Sequence, residues 1–144
     1  AVPEVDHLHT QQTLHDMLRA SDFVVVTAPL TARTRGMFKA REFAAIGPAG
    51  YFICVSRGSI ADEGALLAAL RSGTIAGAGL DAHGREPLPA DSPFWGLSNV
   101  ILTPHNGATT DGTRRRGSRI LMQNLRRFLA EEPLLNVVDR VVGY

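Results

Sequence analysis

One arginine, two carboxylates and one histidine stand just after apolar runs in this sequence. Arg57 follows Tyr51-Phe52-Ile53-Cys54-Val55, Asp81 and Glu86 follow Ile75 to Leu80, and His105 follows Val100-Ile101-Leu102. A fourth run, Phe23 to Val26, leads into Thr27-Ala28-Pro29-Leu30. In an open parallel α/β sheet, ligands bind beyond the carboxyl ends of the strands. If the four runs are parallel strands, all of these residues come to one edge. An arginine grips a carboxylate through two parallel hydrogen bonds. A histidine exchanges a proton near neutral pH, and a nearby carboxylate steadies its ring and favours the imidazolium. Such a set suits oxidation of an alcohol beside a carboxylate, or the reverse. The hydride must then pass to or from a cofactor, because no side chain accepts one.

The elements that must position these residues alternate strand and helix. Thr13-Leu14-His15-Asp16 has the form of a capping box, and Leu14, Met17 and Leu18 give the following helix an apolar face. The run Phe23-Val24-Val25-Val26 reads as a parallel strand buried on both faces. A short helix over Arg41 to Ile46 is stopped by Gly47-Pro48, and Tyr51 to Val55 is a second strand. Asp62-Glu63 opens a helix at its positive end, with Leu66, Leu67 and Leu70 inward and Gly73 as its stop. Ile75 to Leu80 is a third strand, and its Gly77-Ala78-Gly79 stretch reads as close packing inside a strand rather than a phosphate loop. Val100 to Leu102 is a fourth. A long helix, roughly Asp111 to Ala130, carries Ile120, Leu121, Leu125, Phe128 and Leu129 at helical spacing, and the tail from Pro133 shows no period. This order predicts an α/β fold, the second half of a Rossmann-like doubly wound parallel sheet with a long C-terminal helix and tail. Residues 1–109 read as half of a dinucleotide-binding domain. Residues 110–144 read as a crossover helix and tail returning to a substrate domain in a longer protein.

Composition narrows the classes of function. The chain has 144 residues, a net charge of +1, 44% hydrophobic and 20% charged residues, the size and balance of one globular domain. Near-neutral charge points away from nucleic acid and anionic membranes; Arg114-Arg115-Arg116 reads as a solvated helix face. No apolar run approaches the ~20 residues that cross a bilayer. Cys54 is the single cysteine, so no internal disulfide forms, which fits a reducing, cytoplasmic setting. It lies mid-strand and reads as core. His7, His9 and His15 lack an acid or cysteine to complete a convincing metal set, and no metal is expected. Phe94 and Trp95, in a proline-bearing loop, read as a hydrophobic plug. The chain opens on Ala1 with no initiator Met or signal peptide, and reads as an excised or mature piece.

Five stretches in order resemble the D-isomer-specific 2-hydroxyacid dehydrogenases, the family of phosphoglycerate, glyoxylate/hydroxypyruvate and D-lactate dehydrogenases. They are Phe23 to Thr31, Val55 to Leu66, Ile75 to Asp81, Glu86-Pro87-Leu88 and Leu102 to Thr110; the ending Glu132 to Asp139 is similar too. The Ser-Arg-Gly strand end followed by Asp-Glu-x-Ala-Leu, and Thr-Pro-His after a hydrophobic strand, are the specific signals. The resemblance implies that Arg57 binds the substrate carboxylate and carbonyl. It makes His105 the general acid/base on the 2-oxygen and gives Glu86 the task of hydrogen-bonding His105. It places Asp81 near the nicotinamide and ribose. Thr27, Ala28, Pro29, Val55, Ser56 and the Asn106-Gly107-Ala108 turn then line the cofactor, with Arg57 and His105 also facing it. The cofactor is NAD or NADP, with NAD slightly favoured, and the substrate is a small 2-hydroxy or 2-oxo acid. A homodimer is the expected assembly of the full-length protein.

The chain also departs from the family. His83 and Gly84 stand where an aromatic and an acid are common, and Asn106 stands where Ile is common. The fingerprint G-x-G-x-x-G and the acid that reads the adenosine ribose are absent from these 144 residues, so the chain alone is expected to bind cofactor weakly and to be inactive. Rival readings are a non-catalytic dinucleotide-sensing module of the corepressor type, an inactive fragment, and a half domain completed by another chain.

Overall fold

The computed structural model describes residues 4–141 and 143. Two compact units divide the chain between Pro104 and His105.

The first unit is built on four parallel strands in sequential order: β1 Phe23–Val26, β2 Tyr51–Cys54, β3 Gly77–Leu80 and β4 Val100–Leu102. The pairing runs Val26 beside Cys54, Cys54 beside Leu80, and Leu80 beside Leu102. Every strand therefore ends on the same edge, as the sequence pattern requires. The helices are α1 Leu14–Arg19, α2 Ala40–Ile46 and α3 Glu63–Ser72. Asp62 caps α3 by accepting the Ala65 N–H at 2.8 Å, and Gly73 ends it in the left-handed region at φ 71°. Thr13 does not cap α1. Its hydroxyl instead exchanges hydrogen bonds with the Thr10 backbone around a short 3-10 turn at Gln11–Thr13, because the turn that directly precedes α1 claims that hydroxyl first.

One expectation is corrected. Phe23 and Val25 on β1 alternate with Val24 and Val26 as exposed and buried, so the strand is covered on one face only. The right-handed crossovers through α2 and α3 advance in one direction across the sheet and so fall on one side of it. The core forms there, around Phe38, Phe43, Phe52, Ile60, Leu66, Leu80 and Phe94. Phe43 meets Phe52 edge-on at 5.3 Å between ring centroids, an arrangement that favours aromatic pairs. On the other face of this unit, Phe23 stacks on Tyr51 at 5.2 Å and Ile101 is 73% exposed. Cys54 is buried core, as expected. Of the expected plug, Phe94 is buried, but Trp95 is 56% exposed and donates its indole N–H to Pro89 O at 2.8 Å.

His15 joins α1 to α2 through Nε2 to Glu42 Oε1 at 2.8 Å, while Glu42 Oε2 accepts the Lys39 N–H at the start of α2. Burial pushes the Glu42 carboxyl up. The hydrogen bonds from His15 and the Lys39 N–H, with the His15 charge, outweigh burial and hold it below its ordinary 4.5. A lowered folded value means the contribution is present above 4.5 and lost as pH falls through the folded value. Glu42→Ala is expected to destabilise the fold by about 1–2 kcal/mol at pH 7, the scale of a lost helix cap. The deficit should shrink at pH 3. Urea unfolding at both pH values checks this, and an equal deficit at each would refute it.

The second unit is α4, Thr113–Leu129, with the turn before it and the tail after it. Thr113 Oγ1 donates to Ala108 O at 2.6 Å and accepts the Thr110 N–H. The tail without period is held by side chains of α4. Asn124 exchanges two hydrogen bonds with the Leu135 backbone, and Arg127 Nε donates to Pro133 O. Leu121, Leu125, Phe128 and Leu129 form an exposed apolar stripe. No helix among the described residues is long and apolar enough to cross a membrane.

Candidate active site

The carboxyl edge of the sheet is stitched beyond its strand ends by backbone hydrogen bonds. Val55 N–H donates to Val26 O, Asp81 N–H to Cys54 O, and Thr103 N–H to Leu80 O, at 3.3, 2.9 and 3.0 Å. These bonds bring Thr27, Val55-Ser56-Arg57, Asp81 and Thr103 side by side, each one to three residues past its strand.

Arg57 is exposed, and among the described residues its guanidinium makes one hydrogen bond, from Nη1 to its own strand-end carbonyl, Ser56 O, at 2.7 Å. The other donors of the fork stay available for a carboxylate. Gly58, next along, packs on the loop after β3. A Cβ there would lie 2.1 Å from His83 C and 2.5 Å from Gly84 N. Backbone cannot yield to such a contact without moving the loop. Gly58→Ala is expected to cost about 1–3 kcal/mol, the range for forced overpacking, seen as a lowered midpoint in thermal unfolding. An unchanged midpoint would show that the loop gives way freely.

Asp81 is buried and accepts the Thr103 hydroxyl on Oδ1 at 2.5 Å. Glu86 is exposed and accepts the His83 N–H on Oε1 at 2.9 Å; a cis peptide bond joins it to Pro87. The His83 ring reaches from this loop to the end of β4, with Nε2 2.9 Å from Thr103 O. Arg57, Asp81 and Glu86 are thus brought to one edge within the first unit. His105 opens the second unit, half-buried and in the left-handed backbone region at φ 54°. Gly107 and Ala108 lie in the turn closed by Thr109 N–H to Asn106 O at 2.8 Å.

Among the residues expected to line a cofactor, Ser56 gives the clearest test of fit. Its hydroxyl is buried at the end of β2 and has no hydrogen-bond partner among the described residues. An orphaned buried hydroxyl costs about 1–3 kcal/mol, so it marks a place for an incoming polar group. Val55 beside it is 45% exposed, an apolar surface for a ring. The Thr27-Ala28-Pro29 segment is held in shape from behind, because Thr34 Oγ1 donates to Pro29 O at 2.7 Å and accepts the Thr31 N–H at 2.8 Å. These residues fit a bound dinucleotide.

Sequence reading missed His83 and Thr103 as site-forming groups. Once Leu80 and Leu102 are paired, the next residues, Asp81 and Thr103, must be neighbours, so the second was within reach of a register argument. The His83 contact was not, since it depends on how the loop doubles back.

A parallel sheet with its helices wound in one direction and polar groups along its carboxyl edge defines the class of nucleotide-binding α/β domains. Residues 2–107 match the sequence profile of the D-isomer specific 2-hydroxyacid dehydrogenase, NAD binding domain. The chain belongs to that family. It is 46% identical over 112 residues to glyoxylate/hydroxypyruvate reductase B of Salmonella gallinarum, a match covering 78% of this chain and 35% of that protein. It therefore spans about a third of the length of the curated relatives it matches. Among solved structures it resembles a D-isomer specific 2-hydroxyacid dehydrogenase from Xanthobacter autotrophicus Py2 in complex with NADPH and MES, with 43% identity and a TM-score of 0.90 over 100% of this chain and 59% of that one. An NADPH-dependent glyoxylate/hydroxypyruvate reductase from Sinorhizobium meliloti, in complex with NADP and sulfate, is 37% identical with a TM-score of 0.85, covering 94% of this chain and 44% of that chain.

Proposed function

We propose that this chain is the catalytic part of a longer NAD(P)-dependent oxidoreductase that interconverts small 2-oxo and D-2-hydroxy acids, with glyoxylate and hydroxypyruvate as first substrates to try. The observation that carries it is the convergence of Arg57, Asp81 and the Glu86 loop on one sheet edge, in a chain of this family. Arg57 anchors the substrate carboxylate through its free donors and turns the 2-oxo carbon toward the cofactor face. His105 gives a proton to the carbonyl oxygen during reduction and takes it back during oxidation, while Glu86 orients the ring. The bound dihydronicotinamide supplies the hydride. Thr27, Ala28, Pro29, Val55, Ser56, Asp81, Gly107 and Ala108 line the dinucleotide, and Ser56 Oγ offers it a hydrogen bond. For the full-length protein we take a cytoplasmic homodimer, on the family resemblance alone.

The test is consumption of NADPH and NADH with glyoxylate and hydroxypyruvate by the full-length polypeptide, with the 144-residue chain assayed in parallel. Turnover by the former and little by the latter is expected, because a G-x-G-x-x-G phosphate cradle does not occur in these residues. A full-length protein that binds NADPH tightly and reduces no 2-oxo acid would make it a dinucleotide-sensing module instead.

A further inference from the structure

We propose that His83 is a positioning residue of this site, one that ties the substrate anchor, the Glu86 loop and the strand leading to His105 into a single unit. The proposal rests on the oxidoreductase reading above.

Three contacts meet at this residue. Its main chain packs on Gly58 so closely that no Cβ fits between them, which sets the loop after β3 against the residue following Arg57. Its N–H donates to Glu86 Oε1 at 2.9 Å. Its ring Nε2 lies 2.9 Å from Thr103 O. A carbonyl oxygen only accepts, so Nε2 carries the proton and the imidazole is a donor there. Thr103 is gripped from both sides, its hydroxyl by buried Asp81 and its carbonyl by His83. Thr103 stands two residues before His105 in the chain. A phenylalanine would fill the same space and drop the Thr103 tether, whereas a glutamine places an amide N–H near where Nε2 stands.

The experiment uses the full-length protein with His83→Phe and His83→Gln, alongside Arg57→Ala in the same NADPH-coupled assay. His83→Phe is expected to lower kcat by about 10-fold, within the loss that small misplacement of reacting groups causes, with KM for NADPH little changed. His83→Gln is expected to recover most of that loss. Phe and Gln variants that both match the parent overturn the proposal, and so do variants equally impaired with equally lowered unfolding midpoints, which mark a purely structural role. If the parent itself reduces no 2-oxo acid, the functional reading fails on its own, and the tether is read by ¹⁵N NMR of the His83 ring. An Nε2-protonated tautomer with a slowly exchanging proton supports it, and a rapidly exchanging ring overturns it.

Discussion

Arg57→Ala in the full-length protein is expected to lower kcat/KM for a 2-oxo acid by roughly 10²- to 10³-fold, since a charged hydrogen-bonded anchor is worth about 2–5 kcal/mol and each 1.36 kcal/mol is tenfold. Most of the loss should appear as a raised KM for the acid, because the carboxylate is held in both ground and transition states. The fold should be untouched. Arg57 is exposed, and the hydrogen bond its guanidinium makes is to the adjacent Ser56 carbonyl. Arg57→Lys should rescue little, because an ammonium is a point charge without the planar fork. Steady-state kinetics with equal unfolding midpoints for parent and variants provide the check. An unchanged KM for the acid would remove Arg57 from the site.

The second large effect is expected at His105. Loss of a positioned acid/base group costs about 10²- to 10⁴-fold, here in kcat, with KM for the acid nearly constant. The backbone at His105 sits at φ 54°, a region that asparagine tolerates and most residues do not. His105→Asn is therefore a cleaner test than alanine, since it removes proton transfer without backbone strain. Steady-state kinetics on the full-length protein check this, with NADPH binding retained in the variant. A variant that keeps its rate would show that another group moves the proton.

The two effects separate cleanly. In the proposed reaction Arg57 would act on binding through a uniform contact, and His105 on chemistry through a proton. Loss of both activities with intact NADPH binding would support the reaction assigned here. Loss of NADPH binding in both variants would relocate the two residues to the cofactor side of the site.

Much of this site was legible in the chain itself. Apolar runs of three to six residues, each followed by polar groups, predicted parallel strands whose ends share an edge, and β1 to β4 bear this out within a residue or two. Asp62 and Gly73 announced the limits of α3 through capping chemistry that is local by nature. Thr13 shows where local signals fail. Its hydroxyl closes the short 3-10 turn before α1 on the Thr10 backbone and so does not cap α1.

The one-sided burial of β1 could not be read from Phe23-Val24-Val25-Val26, because an all-apolar run looks the same whether one face or two is covered. Which face is covered depends on the direction in which successive crossovers advance, a property of the whole sheet. The candidate residues at the strand ends, the four parallel strands and the limits of α3 follow from sequence, because each rests on residue type and on neighbours a few positions away. The grip on Thr103, the close fit of Gly58 under His83 and the orphaned hydroxyl of Ser56 belong to tertiary structure. Each depends on groups about 20 residues or more apart, or on the burial of one group by others, and only folding makes them neighbours.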